Sequence, residues 1–419
     1  MAKKAKPKAR VAKVRVSKSR VAKVSVSKAR APKPAVSRFA QPFFTTTPPQ
    51  QRQIDAKIGV RSMAQFAAAR LGPIPPPSRN PVMDLSEIIG QPGVDDIKAA
   101  GAIRFHAVGD TGRAAGDTTA QEMIANAMTS DYDPAAAGHS PALFIHLGDV
   151  IYGHNKDILY RDEFYRPYMK YPGKIVAIPG NHDGETFTQT DPKPLKGFLD
   201  NFCSPAAAVP RIASDVRIFR ETMTQPGVYW LLTAPFVNII GLYSNIAEGP
   251  GSILGANNDN KQLQWLDKTL AGLKQTADGK ALVIATHHPP FSTGGHSPSR
   301  EMLNQIDGVC KANKIAPHAM LAGHSHNYQR YTRSADFGTG AIEIAYIVAG
   351  CGGHAESTVV AANKQHTGDT VFENSLEGYG YLMMTASANE LIIQMFETTG
   401  GTKRLFDTVK VDIANHRVQ

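Results

Sequence analysis

Leu143-Phe144-Ile145-His146-Leu147-Gly148-Asp149-Val150-Ile151-Tyr152 is an apolar, strand-like run that stops at a glycine and delivers a carboxylate and a phenol. The same arrangement recurs along the chain. Ile103–Val108 leads into Gly109-Asp110-Thr111-Gly112, Lys174–Ile178 into Gly180-Asn181-His182-Asp183, and Ala281–Thr286 into His287-His288-Pro289-Pro290. A shorter apolar stretch, Ala319–Ala322, leads into Gly323-His324-Ser325-His326. Oxygen and nitrogen donors at the ends of neighbouring strands describe a polar metal pocket on an α/β sheet. Glycine before Asp110, Asp149, Asn181 and His324 suits a tight strand-to-loop turn beside a metal, where a side chain would be in the way. One Gly-Asp or Gly-His is worth almost nothing as a signal; five segments in order are strong.

The donors are two carboxylates (Asp110, Asp149), a phenol (Tyr152), an amide carbonyl (Asn181) and three imidazoles (His287, His324, His326). Seven groups exceed the needs of one tetrahedral zinc and suit two ions that share a carboxylate and a water. His324 and His326 are two residues apart, so on an extended segment both point to one side and each can reach a different ion.

Net charge becomes informative once the chain is divided. The first 40 residues hold nine Lys, five Arg and no acid, whereas the other 379 hold 32 basic and 36 acidic side chains. The formal charge of +10 therefore belongs to a tail, and the body is mildly acidic. That tail repeats itself, Arg10–Ser19 being nearly copied by Arg20–Ala29, and has no aromatic residue before Phe39. It cannot bury enough apolar surface to offset its ordering entropy and reads as disordered over 1–40. Non-specific contact with nucleic acid, polyphosphate or an anionic membrane surface is one reading of it; a solvated extension is the other. An Arg-rich, acid-poor organelle transit peptide is a third. The tail lacks the apolar core of a secretory signal, and the three scattered cysteines make no disulfide framework, so a cytoplasmic protein is expected. No apolar stretch approaches the ~18 residues of a membrane span.

A proline-rich linker is expected over 41–98, with a short amphipathic helix at Arg52–Leu71, and a catalytic body over 99–419. Within the body, helices are expected at Thr118–Ser130, Asp157–Tyr171, Asn260–Lys274 and Ser299–Asn313. Further strands are expected at Val228–Thr233, Val237–Tyr243 and Ile342–Val348, with a hairpin of Gly380–Ala386 and Leu391–Glu397. Alternation first and antiparallel strands later make an α/β protein with mixed sheets.

The set GDTG, GDVIY, GNHD, HHPP and GHSH resembles the calcineurin-like metallophosphoesterase superfamily and, more narrowly, its purple acid phosphatase group. Gly112 stands where most of the superfamily has the histidine of Asp-x-His, and Tyr152 lies three residues after Asp149, where that group has its iron-ligating tyrosine. The resemblance covers about residues 100–400 and implies a four-layer α/β/β/α sandwich of two mixed sheets flanked by helices. It further implies that Asp110, Tyr152 and His326 hold an iron(III), that Asn181, His287 and His324 hold a divalent ion (Fe, Zn or Mn), and that Asp149 bridges. His182 would be a substrate-side proton donor, and His296, nine residues after His287, a second phosphate-side histidine. His288 competes with His287 for the ligand position. The implied activity is hydrolysis of phosphate monoesters by in-line attack of a metal-bound hydroxide. A broad phosphodiesterase or nucleotide phosphohydrolase is the enzymatic alternative, and a nucleic-acid-associated scaffold using the basic tail is the non-enzymatic one.

Other conspicuous residues have plainer readings. His106 and His146 are expected to be satisfied sheet histidines, and Cys351 a buried structural thiol. Asp183 and His154 are candidates for orienting ligands. His354, after a glycine turn, is either pocket-lining or simply part of that turn.

Overall fold

The structure is a computed structural model and describes residues 71–419 apart from 113–117, 154–155, 187–189 and 361. The basic tail, the helix expected at Arg52–Leu71 (but for Leu71) and His154 lie outside the described residues. No helix among those described is long and apolar enough to cross a membrane.

The strands are β1 (Val82–Asp84), β2 (Ala102–Val108), β3 (Leu143–His146), β4 (Lys174–Ala177), β5 (Trp230–Thr233), β6 (Val237–Gly241), β7 (Ala281–Ala285) and β8 (Ala319–Ala322), followed by β9 (Tyr328–Asp336), β10 (Ala341–Ala349), β11 (His366–Thr367), β12 (Thr370–Leu376), β13 (Gly380–Ser387), β14 (Glu390–Thr399), β15 (Thr402–Asp412) and β16 (Arg417–Val418). They form a nine-stranded sheet, β1-β5-β6-β7-β8-β10-β9-β12-β11, and a seven-stranded sheet, β16-β15-β14-β13-β2-β3-β4. Both are mixed. β2, β3 and β4 run parallel, as do β6, β7, β8 and β10, while the remaining neighbours include antiparallel hairpins such as β13–β14.

The long helices are α1 (Leu85–Ala100), α2 (Thr119–Thr129), α3 (Lys261–Thr276) and α4 (Arg300–Asn313). In β7, every residue is buried, and the pleat sends alternate side chains to opposite faces. Val283 and Ala285 join Phe105, Ala107, Ala345 and Ile347 in the core shared by both sheets. Leu282 and Ile284 face the other way, onto Leu266 and Leu270 of α3 and Met302, Leu303 and Ile306 of α4. Helices α1 and α2 bury Val94, Ile97, Ile124 and Met128 against the smaller sheet. The result is the α/β/β/α order expected from sequence.

Residues 82–98, which fall at the end of the expected linker, lie in regular elements: β1 pairs in parallel with β5, and Asp84 then caps α1 in a reciprocal box with Glu87. One expectation is corrected. The helix expected over Asp157–Tyr171 is α-helical only at Asp157–Tyr160 and continues as a π-turn over Arg161–Tyr165. Glu163, Phe164 and Tyr165 are all buried, which one face of a regular α-helix cannot achieve for three consecutive residues.

Candidate metal centre

All five segments emerge at the C-terminal ends of parallel strands: β2, β3 and β4 from one sheet, β7 and β8 from the other. The turns are strained where the donors sit. Asp110 (φ 59°), Asp149 (φ 53°) and His324 (φ 68°) all adopt the left-handed conformation, at a cost of order 1–3 kcal/mol each. Cross-segment hydrogen bonds hold them there: Asp110 N to Gly148 O (2.9 Å), Thr111 N to Asp149 O (3.2 Å), and His324 N to Asp110 Oδ2 (2.7 Å). Gly180 and Gly323 permit the close approach. A Cβ on Gly180 would run into the Asp149 carboxylate, and one on Gly323 would lie 2.5 Å from Asp110 Oδ2.

The seven donors meet at two corners. At the first, Tyr152 Oη lies 3.3 Å from Asp110 Oδ1 and 3.3 Å from His326 Nε2, and His326 Nε2 lies 3.6 Å from Asp110 Oδ1. At the second, His287 Nε2 lies 3.1 Å from Asn181 Oδ1, 3.2 Å from Asp149 Oδ2 and 3.2 Å from His324 Nδ1. Bonds of about 2.1 Å to a common cation place neighbouring donor atoms roughly 3.0–3.5 Å apart, which is this spacing. His287 Nδ1 donates to Leu147 O at 2.9 Å, so Nε2 is the nitrogen turned to the cluster.

The electrostatics describe a site short of positive charge. Burial, reinforced by the charge of Asp149, pushes the Asp110 carboxyl well above its usual range. Burial would raise Asp149 too, but His287 and His182 outweigh it and hold that carboxyl low. Burial works against a proton on His287, yet Asp149 and Asp110 raise the imidazole to about 9. His324 is pushed well down, by burial and then by the imidazoles around it. Tyr152 is pushed well up, by burial and by Asp149 and Asp110. Among the described residues, the buried Nε2 of His324 has no hydrogen-bond partner. A cation among these donors reverses each penalty on a charged oxygen. The residues therefore fit a metal.

Around the corners, carboxylates orient the polar groups. His182 donates its backbone N–H to Asp149 Oδ1 (3.0 Å), and its Nδ1 lies 2.7 Å from Glu185 Oε2. His296 Nδ1 lies 3.4 Å from Glu248 Oε1, and its ring is 4.0 Å from that of His324. Glu248 Oε2 accepts from Asn181 Nδ2 at 3.1 Å, which turns the amide oxygen of Asn181 toward His287. Asp183 accepts from Val150 N (3.1 Å) and Gly180 N (2.8 Å), stitching two turns together, and Glu163 accepts from Tyr152 N (2.9 Å).

His288 faces away from the cluster, with Nδ1 at 2.8 Å from Ser244 Oγ and Nε2 at 2.7 Å from Ala247 O. His106 is engaged by Asp131 and Tyr171, and His146 by Thr111 Oγ1 and Gly148 N. Cys351 is buried, its thiol pushed up to about 12 by that burial. Sequence reading missed Glu163, Glu185 and Glu248. Glu185 had a signal, lying three residues after His182; Glu248, in a polar loop with no spacing to any motif, had none.

Two mixed sheets bring buried carboxylates and imidazoles together at their strand ends, a donor set that fits metal ions. Residues 103–328, more than half of the chain, match the calcineurin-like phosphoesterase family, and the chain belongs to it. It is similar to tartrate-resistant acid phosphatase type 5 of Sus scrofa, with 28% identity over 328 residues that cover 73% of this chain and 86% of that protein. It is also similar to probable purple acid phosphatase 20 of Arabidopsis thaliana, with 22% identity over 67% of this chain and 59% of the plant protein. Among solved structures, the chain resembles GAP50, the anchor in the inner membrane complex of Plasmodium, with a TM-score of 0.53 at 14% identity. That match covers 74% of this chain and 89% of GAP50, and is a likeness of fold. The protein is thus a metal-dependent hydrolase acting on phosphoric esters.

Proposed function

We propose that the protein is an acid phosphatase-like enzyme that hydrolyses phosphate monoesters at a dinuclear centre. In this reading Asp110, Tyr152 and His326 hold an iron(III), Asn181, His287 and His324 hold a divalent ion, and Asp149 is shared. The observation that carries it is the convergence of seven donors into two corners with contacts of 3.1–3.6 Å, the second of which contains the buried cluster of Asp149, His287 and His324. The two ions, when bound, polarise phosphoryl oxygens and acidify water.

The chain's own residues supply orientation and proton transfer. Glu185 engages Nδ1 of His182, which leaves Nε2 as the atom that passes a proton to the departing ester oxygen. The Asp149 and Glu185 carboxylates favour the imidazolium form that this role needs, against the opposing effect of burial. His296, held by Glu248, stands beside His324, where it can donate to a phosphoryl oxygen. Asp183 and Glu163 fix the turns that carry Asp149 and Tyr152. The similarity to an acid phosphatase favours monoesters over diesters.

The test is to purify the protein, measure metal per chain, and compare turnover of an aryl phosphate monoester with that of a bis-aryl diester. About two metals per chain with monoester preference is the expected result. A single tightly bound metal, or faster diester hydrolysis, rejects the reading.

A further inference from the structure

His354 closes the turn Gly350-Cys351-Gly352-Gly353 after β10, and three hydrogen bonds tie that turn to the segment carrying Asp110. Gly352 N donates to Gly109 O at 3.0 Å, and His354 N donates to Asp110 O at 3.0 Å. His354 Nδ1 donates to Gly112 O at 2.7 Å. Glycine at 352 is demanded by the approach, since a Cβ there would run into Gly109 O. The half-buried imidazole is thereby fixed in both plane and rotation, because Nδ1 has its hydrogen committed to a carbonyl.

So fixed, the ring lies flat on the phenol of Tyr152, with centroids 3.4 Å apart and planes at 9°. It meets the His326 ring edge-on at 4.9 Å. A phenol directs its oxygen through two torsions, and a rigid plate against one face restricts the second. Glu163 restrains the same residue from its backbone, at Tyr152 N, while His354 restrains it from the ring. Between them the oxygen is aimed at Asp110 and His326.

We propose that His354 is a positioning residue for Tyr152, holding the phenol oxygen at the Asp110–His326 corner and shielding one ring face from water. It thereby sets both the tightness of cation binding at that corner and the energy of the tyrosinate-to-metal transition. The inference rests on reading Tyr152 as a metal ligand. Groups that orient a ligand typically change metal affinity about 10–100-fold when removed.

The experiment uses the full-length protein loaded with iron(III), followed by its visible absorption and by iron loss to a competing chelator. His354→Ala is expected to shift and weaken the band and to reduce iron affinity about 10–100-fold. His354→Phe, which keeps a flat ring, restores most of both. His354→Asn, which keeps a donor for Gly112 O but no ring, restores neither. If His354→Ala does not fold, the Phe and Asn variants read the same difference between them. Tyr152→Phe separates the two ways of failing. If it keeps the band, the ligand reading is wrong and the proposal falls with it. If it loses the band while His354→Ala retains the parent's band and iron affinity, the ligand reading stands and the positioning role is overturned.

Discussion

Asp149→Asn probes the carboxylate proposed to be shared, with little else disturbed. The residue is buried and left-handed at φ 53°, a conformation that asparagine tolerates better than most side chains, so the turn should survive. The amide oxygen can still accept from His182 N, now 3.0 Å from Oδ1. What is lost is the negative charge 3.2 Å from His287 Nε2, between the two corners. At an effective dielectric of ~20, removing a unit negative charge ~4 Å from a cation forfeits about 4 kcal/mol for each unit of the cation's charge. That is roughly a thousandfold in metal affinity, and on the proposed reading it is felt at both corners. Metal per chain after dialysis against a graded chelator series, with aryl phosphate turnover on the same samples, measures the effect. Thermal unfolding without metal checks that the fold is intact. A variant that keeps both metals against the same chelator concentrations and turns over at near the parental rate would refute the shared-carboxylate model.

Three further outcomes are expected. Iron(III)-loaded protein should be coloured through Tyr152, and Tyr152→Phe should bleach it; a colourless iron(III) protein removes the tyrosine from the ligand set. Asn181→Ala should lose the divalent ion, whereas His182→Ala should keep metal and lose about 10²–10⁴-fold in rate, with a smaller loss for better leaving groups. Equal loss across leaving groups would make His182 a phosphate-positioning group instead. Deleting residues 1–40 takes the formal charge from +10 to −4 and should leave turnover of a small ester unchanged. Any polyphosphate or nucleic-acid binding should then weaken sharply, having been steeply salt-dependent before; binding that persists without the tail places the basic site elsewhere.

How much of this was legible in the sequence depended on whether burial was apolar. β7 reads as a strand because all five of its residues are buried and apolar, and β3 reads nearly as well. β9 does not, although Tyr328, Tyr331 and Arg333 along it are all buried. Its Arg333 is engaged by Asp307 at 2.7 and 3.0 Å and by Asp369 at 2.8 Å, and its Arg330 and Tyr328 meet Asp407 of β15 at 2.8 Å. A buried guanidinium looks like a surface residue until its carboxylates are known, and those lie 26 to 77 positions away. The Arg330–Asp407 pair likewise belongs to β15, whose alternation is mostly polar. The site divides along similar lines. The seven donors announce themselves because they fall in five short segments, each after a strand and four of them opened by a glycine, so local sequence records both the donors and the reason for their placement. The groups that aim them have no such record. Glu248 reaches Asn181 across 67 residues, and His354 reaches Gly112 across 242. Their roles come from two sheets packed face to face, not from any spacing along the chain. His354 shows the cost of relying on spacing: its glycines read equally well as an ordinary turn. Yet the closest of those glycines to the Asp110 segment, Gly352, is required because the turn packs directly against Gly109 O. A glycine cluster after a buried strand is therefore better tested by what lies against it than by the turn it permits.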